Sequence, residues 1–487
     1  MTTADVAIAI DPTLSYPARS PFHPPARYPE LAPDTPLDPE NKVYAHVRDC
    51  LRRLGLDAAA FDTPRWNPLG EVIRPGDKVL LKPNLVLHYR GASDDIDAVV
   101  THGSVLRPLI DYALRALDGK GEVIVGDAPH GNADFDRIVA ANGLRATVEW
   151  FRQRGEPVRL LDFRKYVYAP GPRGFVDGLC REVEGDPAGY RLVDVGERSF
   201  LKELPHLERL YGSDFDREFI VAQHRDGHHR YCVTGTLLAA DVVISVPKMK
   251  THKKVGVTLN AKNLVGVNGD KNYLAHYRVG STESGGDEYP PTSSRLLRLW
   301  RWWLRFAADK LLAPNTQAGR NLFKVLHWPM RFVFLFYLAL HDRQEPIDKG
   351  DWCGNDTAWR MCLDLNEILR FADRDGNLHD TPQRRLFSVL DGIVAGEGNG
   401  PMEPEARRAG YLAVGRDPFL LDHLCAWHMG FAPDKLPVLA AARRSPRLAY
   451  DPDGAVVDCR RRDAPVDWRE VNLRFKPHHA WRGKIER

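Results

Sequence analysis

Cysteine is scarce and scattered in this 487-residue chain. Seven residues, at 50, 180, 232, 353, 362, 425 and 459, form no C-x-x-C pair. That spacing gives neither a zinc ribbon nor a ferredoxin-type cluster its usual ligands and reads as thiols in a reducing compartment, so no iron–sulfur cluster is expected. Charge of one sign is lacking too: 68 basic against 65 acidic residues leave a net +3, which argues against a nucleic-acid partner. The N-terminus has no basic n-region or long apolar h-region, so it does not read as a secretory signal. No run of about 18 apolar residues is visible, which argues against a spanning helix. Neither a G-x-x-x-x-G-K-[ST] loop nor a G-x-G-x-x-G turn opening a helix occurs. The expected location is cytoplasmic, with a membrane surface kept open by one segment described below.

What is present is an alternating pattern. The 43% apolar content suits a packed core. Nine prolines in residues 1–40 suggest an extended arm over the surface. Helical spacing of Tyr44, Val47, Leu51 and Leu54, a short apolar run at 78–81, a helix from Ser104 to Leu117 and a strand at 122–126 follow. Another helix (133–142), strands near 158–161 and 241–246, and strands at 386–390 and 411–414 before a helix at 418–429 complete the pattern. This predicts an α/β fold: a mainly parallel sheet with flanking helices (Rossmann-like), with a helical insertion. The boundaries read as an arm (1–40), a main α/β domain (41–290), the insertion (295–345), a C-terminal part completing the domain (355–450) and a tail (451–487).

In parallel sheets ligands bind beyond the carboxyl ends of the strands, where Lys82, Asn84, Asp127 and His130 fall. The segment 241–268 carries Lys248, Lys250, His252, Thr258, Lys262 and Asn263 just past a strand. Lys253 and Lys254 read as solvated charges. Lys262, between Asn260 and Asn263 and before Leu-Val-Gly-Val, sits where a lysine pairs with an anion or loses its proton. The loop 396–401 offers Glu397, Asn399 and glycine amides that suit an anion, although a tight turn needs the same glycines.

Residues 295–341 interleave four tryptophans and six phenylalanines or tyrosines with eight basic residues and one acid, Asp309. Leu296, Leu299, Trp303 and Phe306 form a stripe at helical spacing, so two amphipathic helices broken near 313–315 are predicted, with a kink or restart at Pro329. Such a segment packs on its own domain, makes a homodimer or lies on a membrane.

The blocks DKVLLKPNLV (77–86), VIVGDAP (123–129), ADVVISVPKMKTHKKVGVTLNAKNLVG (240–266), DGIVAGEGNGP (391–401) and GRDPFLLD (415–422) together resemble the domain of unknown function, family 362. The likeness covers residues 40–270 and 355–430. Some members of that family carry added ferredoxin-type cysteine clusters, which this chain lacks, so the resemblance implies a fold and a site more than an activity. A more distant resemblance is to the nickel-pincer lactate racemase family, in which a lysine ten residues after a Pro-His histidine anchors the cofactor. His252 and Lys262 have that spacing. His130 and His276 resemble two further histidines of that family, the second a nickel ligand, while Asn260-Ala261 replaces its glycine pair. This implies isomerase or racemase chemistry and a divalent metal at His276.

The combined expectation is an enzyme of isomerase or oxidoreductase type acting on a small carboxylate or phosphorylated metabolite. Lys248, Lys250 and the 396–400 loop hold the anion. His252 and His130 exchange protons, and Lys262 is an anchor, base or electrostatic stabiliser. The alternative is a non-catalytic accessory protein beside a membrane, in a lipid-linked or glycan pathway.

Overall fold

The structure is a computed structural model that describes residues 4–168, 179–212, 217–340 and 346–487. Eleven strands make one sheet: β1 (Val6–Ile10), β2 (Lys78–Pro83), β3 (Glu122–Asp127), β4 (Val158–Asp162), β5 (Val242–Val246), β6 (Lys248–His252), β7 (Gly256–Thr258), β8 (Arg385–Glu397), β9 (Glu405–Gly415), β10 (Val457–Arg461) and β11 (Ala464–Pro465). Their order is β11-β10-β1-β9-β8-β5-β2-β3-β4, with β6 added on β8 and β7 on β6. Neighbours from β8 to β4 are all parallel, whereas β9 runs antiparallel to both β8 and β1. The sheet is therefore mixed and mainly parallel.

The strands are apolar on both sides because both faces are covered. Val79, Leu81, Val242 and Ile244 point into one core, shared with helices Lys42–Arg53 and Gly103–Leu117. Leu80 and Val243 point into the other, shared with helices Ala358–Phe371 and Pro418–Met429. This period-two division makes a three-layer α/β/α arrangement.

Two expectations change here. The proline-rich N-terminal segment is not only a surface arm: β1 is fully buried between β9 and β10. The chain also does not leave the sheet at Pro247. Proline cannot donate a ladder hydrogen bond, so β5 ends there, but β6 re-pairs at once with β8, placing Lys248 opposite Asp391 and Lys250 opposite Gly396.

The 295–340 segment is a helical hairpin. Helix Arg295–Ala307 runs into a turn of π-helix, Ala308–Leu312, and after a break at 313–316 helix Gln317–Leu340 returns. The second helix passes through Pro329 without restarting. The buried stripe is Leu297, Trp300, Trp303 and Ala307, packed on Phe323 and Tyr337, while Leu299 and Phe306 face outward. Arg301 is buried rather than flanking the stripe: it and Arg305 clamp Glu288 at 2.8 and 2.6 Å, tying the hairpin to the main body.

By length and composition Gln317–Leu340 could cross a membrane, with a mean hydropathy of 1.3. Lys324, His327 and Arg331 interrupt its apolar residues, so no unbroken apolar run marks it in the sequence.

Candidate functional site

A cavity of about 540 Å³ lies beyond the carboxyl ends of β2, β3 and β5, roofed by the hairpin. Asn84, Asp127, His130, Lys250, His252, Thr258, Lys262, Asn263 and His276 all line it. Parallel strands bring their carboxyl ends to one rim, and from the adjacent β2 and β5 the chain leads in opposite directions, to β3 and to β8, so a crevice opens between them.

The rim is built from paired charges at its base. Lys82 is fully buried and meets Asp127 at 2.7 Å, and Asn263 bridges it by accepting from Lys82 Nζ while donating to the Lys82 carbonyl. Asp127 also accepts the Leu85 amide at 2.5 Å. Gly266 must be glycine here: a Cβ on it would stand 1.7 Å from Asp127 Oδ1. Lys82 is thus a strut beneath the cavity rather than a wall residue.

Lys250 and Lys262 differ from the other lysines. Lys250 Nζ donates to Asn84 Oδ1 at 2.8 Å and to the Val99 carbonyl at 2.5 Å, with no carboxylate partner among the described residues. Burial and the nearby Lys248 and Lys262 push its pKa well down. Lys262 has neither an ion pair nor a hydrogen bond among the described residues, and burial lowers its pKa. The Thr258 hydroxyl, also on the wall, has no partner among the described residues. A buried hydroxyl without a partner costs free energy unless a ligand supplies one, and the half-buried Lys262 ammonium lines the same cavity.

The turn carrying Lys262 is held from outside the cavity. Asp422, on helix Pro418–Met429, accepts the amides of Asn260 and Ala261 and the Asn260 side chain, each at 2.8 Å. Ser388 and Asn366 bind the same turn. Asp422 falls within GRDPFLLD (415–422), yet nothing in its local sequence points to Asn260, 162 positions away.

The histidines are held in defined tautomers. His252 Nδ1 accepts the Lys254 amide at 3.0 Å, which leaves Nε2 carrying hydrogen in the neutral ring. His276 Nδ1 faces the Leu274 carbonyl at 2.9 Å and so must donate, leaving Nε2 with a lone pair. Burial, then Lys262 and other lysines, holds the His252 pKa well below its usual value and lowers His276 to about 3. Burial lowers His130 to about 4.

Other expected residues lie elsewhere. Lys248 is buried against Asp391 at 3.1 Å and Tyr16 at 2.5 Å; at roughly 3.4 Å per residue it stands about 13 Å back along the strand from His252. Glu397 pairs with Arg407 at 2.7 Å, and neither it nor Asn399 lines the cavity. The loop glycines use their amides internally, Gly398 to the Lys476 carbonyl and Gly400 to Gly398, so they do not cradle an anion. Lys253 and Lys254 do line the cavity, half-buried rather than freely solvated, and both grip buried Asp351, at 3.1 and 2.6 Å.

A divalent ion does not fit. Among the described residues no three His, Cys, Asp or Glu side chains converge at ligand spacing, and the neighbours of His252 and His276 are lysines, which repel a cation. Asn260, where the racemase-like pattern has glycine, is committed to Asp422.

The family model described as Domain of unknown function (DUF362) matches residues 79–183 and 193–427. The chain belongs to this family. The second matched stretch of the DUF362 model runs across the hairpin as well as the site. Thylakoid-associated protein sll1697 of Synechocystis sp. is similar to this chain, 44% identical over 69 residues, which is 14% of this chain and 21% of that protein. The matched part is thus about a fifth of that relative's length.

Proposed function

We propose that this DUF362 protein is an enzyme that holds an anionic group, carboxylate or phosphate, between Lys250 and Lys262 and moves a proton on the bound molecule. The observation that carries the reading is a pair of cavity-lining lysines, Lys250 buried and Lys262 half-buried, without carboxylate partners among the described residues, set beside two histidines in opposite tautomers. His276 Nε2 would accept a proton from the substrate and His252 Nε2–H would return one, with the lysines stabilising the negative charge that develops between the two steps. An anion bound there offsets the lysine field and lifts both imidazole pKa values toward the range where they exchange protons. Of the two chemistries open from sequence, isomerisation is favoured because both of its groups are in place. The test is incubation with pools of anionic metabolites in D2O, read by mass spectrometry. A metabolite gaining deuterium with the wild type but not with Lys262→Met or His276→Gln supports the reading, and no exchange across carboxylate and phosphate pools refutes it.

We propose further that it works against a membrane surface from the cytoplasm. Among the described residues, eleven of the fifteen exposed large hydrophobic side chains lie between Leu299 and Leu340, and the similar Synechocystis protein carries the name thylakoid-associated.

A further inference from the structure

We infer that the ligand is a membrane amphiphile, its anionic head at Lys250 and Lys262 and one hydrocarbon chain running out beneath the hairpin. This rests on the anion-site reading and adds the substrate's apolar half. The cavity has two unlike ends. Its strand end is cationic, while its hairpin roof has an apolar stretch, Leu304, Ala308, Leu312 and Phe323, beside His327 and the Glu288-bound Arg301 and Arg305. At about 540 Å³ the space is that of a drug-sized ligand rather than a three- or four-carbon acid, and the apolar stretch gives a small, fully hydrated anion nothing to contact. The chain-sized part has a source on the other side of the same helices. Trp302, Phe306, Trp328, Phe332 and Phe336 are each more than 40% exposed, an apolar surface too large to leave in water.

A bilayer bearing anionic lipid is the occupant that suits this surface, because the exposed charges beside it, Arg295, Lys310 and Arg331, are basic. The hairpin lies on the bilayer rather than crossing it. Phe323 and His327 of the second helix line the cavity, and the buried Arg301–Glu288 pair fixes the first helix to the soluble body. A chain passing from bilayer to roof therefore stays in apolar surroundings along its route.

The test is calorimetric titration of the whole protein with ethyl phosphate and with octyl phosphate below its micelle concentration. Both carry the same head; only the chain differs. Burying six further methylenes should tighten binding on the order of 100-fold or more, and Ala308→Trp, which fills the roof, should bring the ratio of the two affinities toward one. If that variant fails to fold, Leu304→Trp makes the same test from the preceding turn. Equal affinity for the two phosphates in the wild type overturns the amphiphile while leaving the anion site standing. Binding of neither removes the anion site and the inference with it.

Discussion

His252 and His276 line one cavity with the same ring nitrogen, Nε2, left in opposite states: the Lys254 amide leaves the first with an Nε2–H, and the Leu274 carbonyl leaves the second with a lone pair. Burial and neighbouring lysines disfavour the cation of both rings. A bound anion would raise their pKa values, so the complex would hold more protons than the free protein. Binding of a phosphate monoester should therefore tighten as pH falls from 8 to 6 and be accompanied by proton uptake, visible as a buffer-dependent enthalpy in calorimetry. Affinity that does not change with pH, with no buffer dependence, would disconnect the histidines from the anion.

The same depressed pKa has a consequence for stability. Unfolded His276 takes a proton near pH 6.5, whereas the folded ring does so only near 3. Its contribution is fully present above pH 6.5 and is lost as pH falls toward 3. Between pH 7 and 5 the protein should lose up to about 2 kcal/mol from this residue alone. In His276→Gln the stability gap between those two pH values, measured by urea unfolding, should narrow by that amount. Asp364 and Asp422, pushed up to about 7 by burial, act in the opposite sense in both proteins and cancel in the comparison.

Lys262→Met should keep the fold and unfold at the same or a higher temperature, since it removes a half-buried charge that has no partner among the described residues and keeps most of the side-chain volume. Phosphate monoester affinity should fall by one to three decades, corresponding to a lost charged interaction of about 2–4 kcal/mol. A variant that binds as well as the wild type would take Lys262 out of the site.

Lys254→Met is expected to behave differently, because Lys254 is tied to Asp351. Losing it leaves that buried carboxylate with Lys253 alone and should cost about 1–3 kcal/mol in chemical unfolding. Replacing the carboxylate as well, in Lys254→Met with Asp351→Leu, should recover part of the loss. Equal damage from the single and double variants would show the pair is not the cause.

Flotation should carry the protein with vesicles containing phosphatidylglycerol and much less with pure phosphatidylcholine. Trp328→Glu together with Phe332→Glu should abolish it without lowering thermal stability, because both side chains are exposed. A dimer in solution that stays off both vesicles would assign the surface to a second copy of the chain instead.

Much of the framework was legible locally. Apolar runs such as 79–81 and 242–246 mark buried strands whatever surrounds them, and alternation with helices makes their neighbours parallel. That much places Asn84, Asp127 and His130 at strand ends, and Lys250, His252 and Lys262 just beyond one. The sequence also showed two amphipathic helices with a break near residue 314, since period and turn residues act over a few positions. Which face of the first helix is buried was not readable, because Leu296 and Leu297 are equally apolar and only the partner helix chooses between them.

The roles of the lysines were decided by tertiary structure alone. Lys82, Lys248, Lys250 and Lys254 look alike as side chains near strand ends, and only the context of Lys262 sets it apart. Lys248 meets Asp391 across 143 positions and Lys254 meets Asp351 across 97, and those encounters depend on strand order, on the re-pairing of β6 with β8 after Pro247, and on where the hairpin returns the chain. A charge that finds a carboxylate becomes a strut, whereas one that finds only amides and carbonyls, or nothing, remains available to a ligand. Sequence determines which charges exist and which strand end they approach; the pairing that leaves Lys250 and Lys262 without a carboxylate is settled only when distant segments close around them.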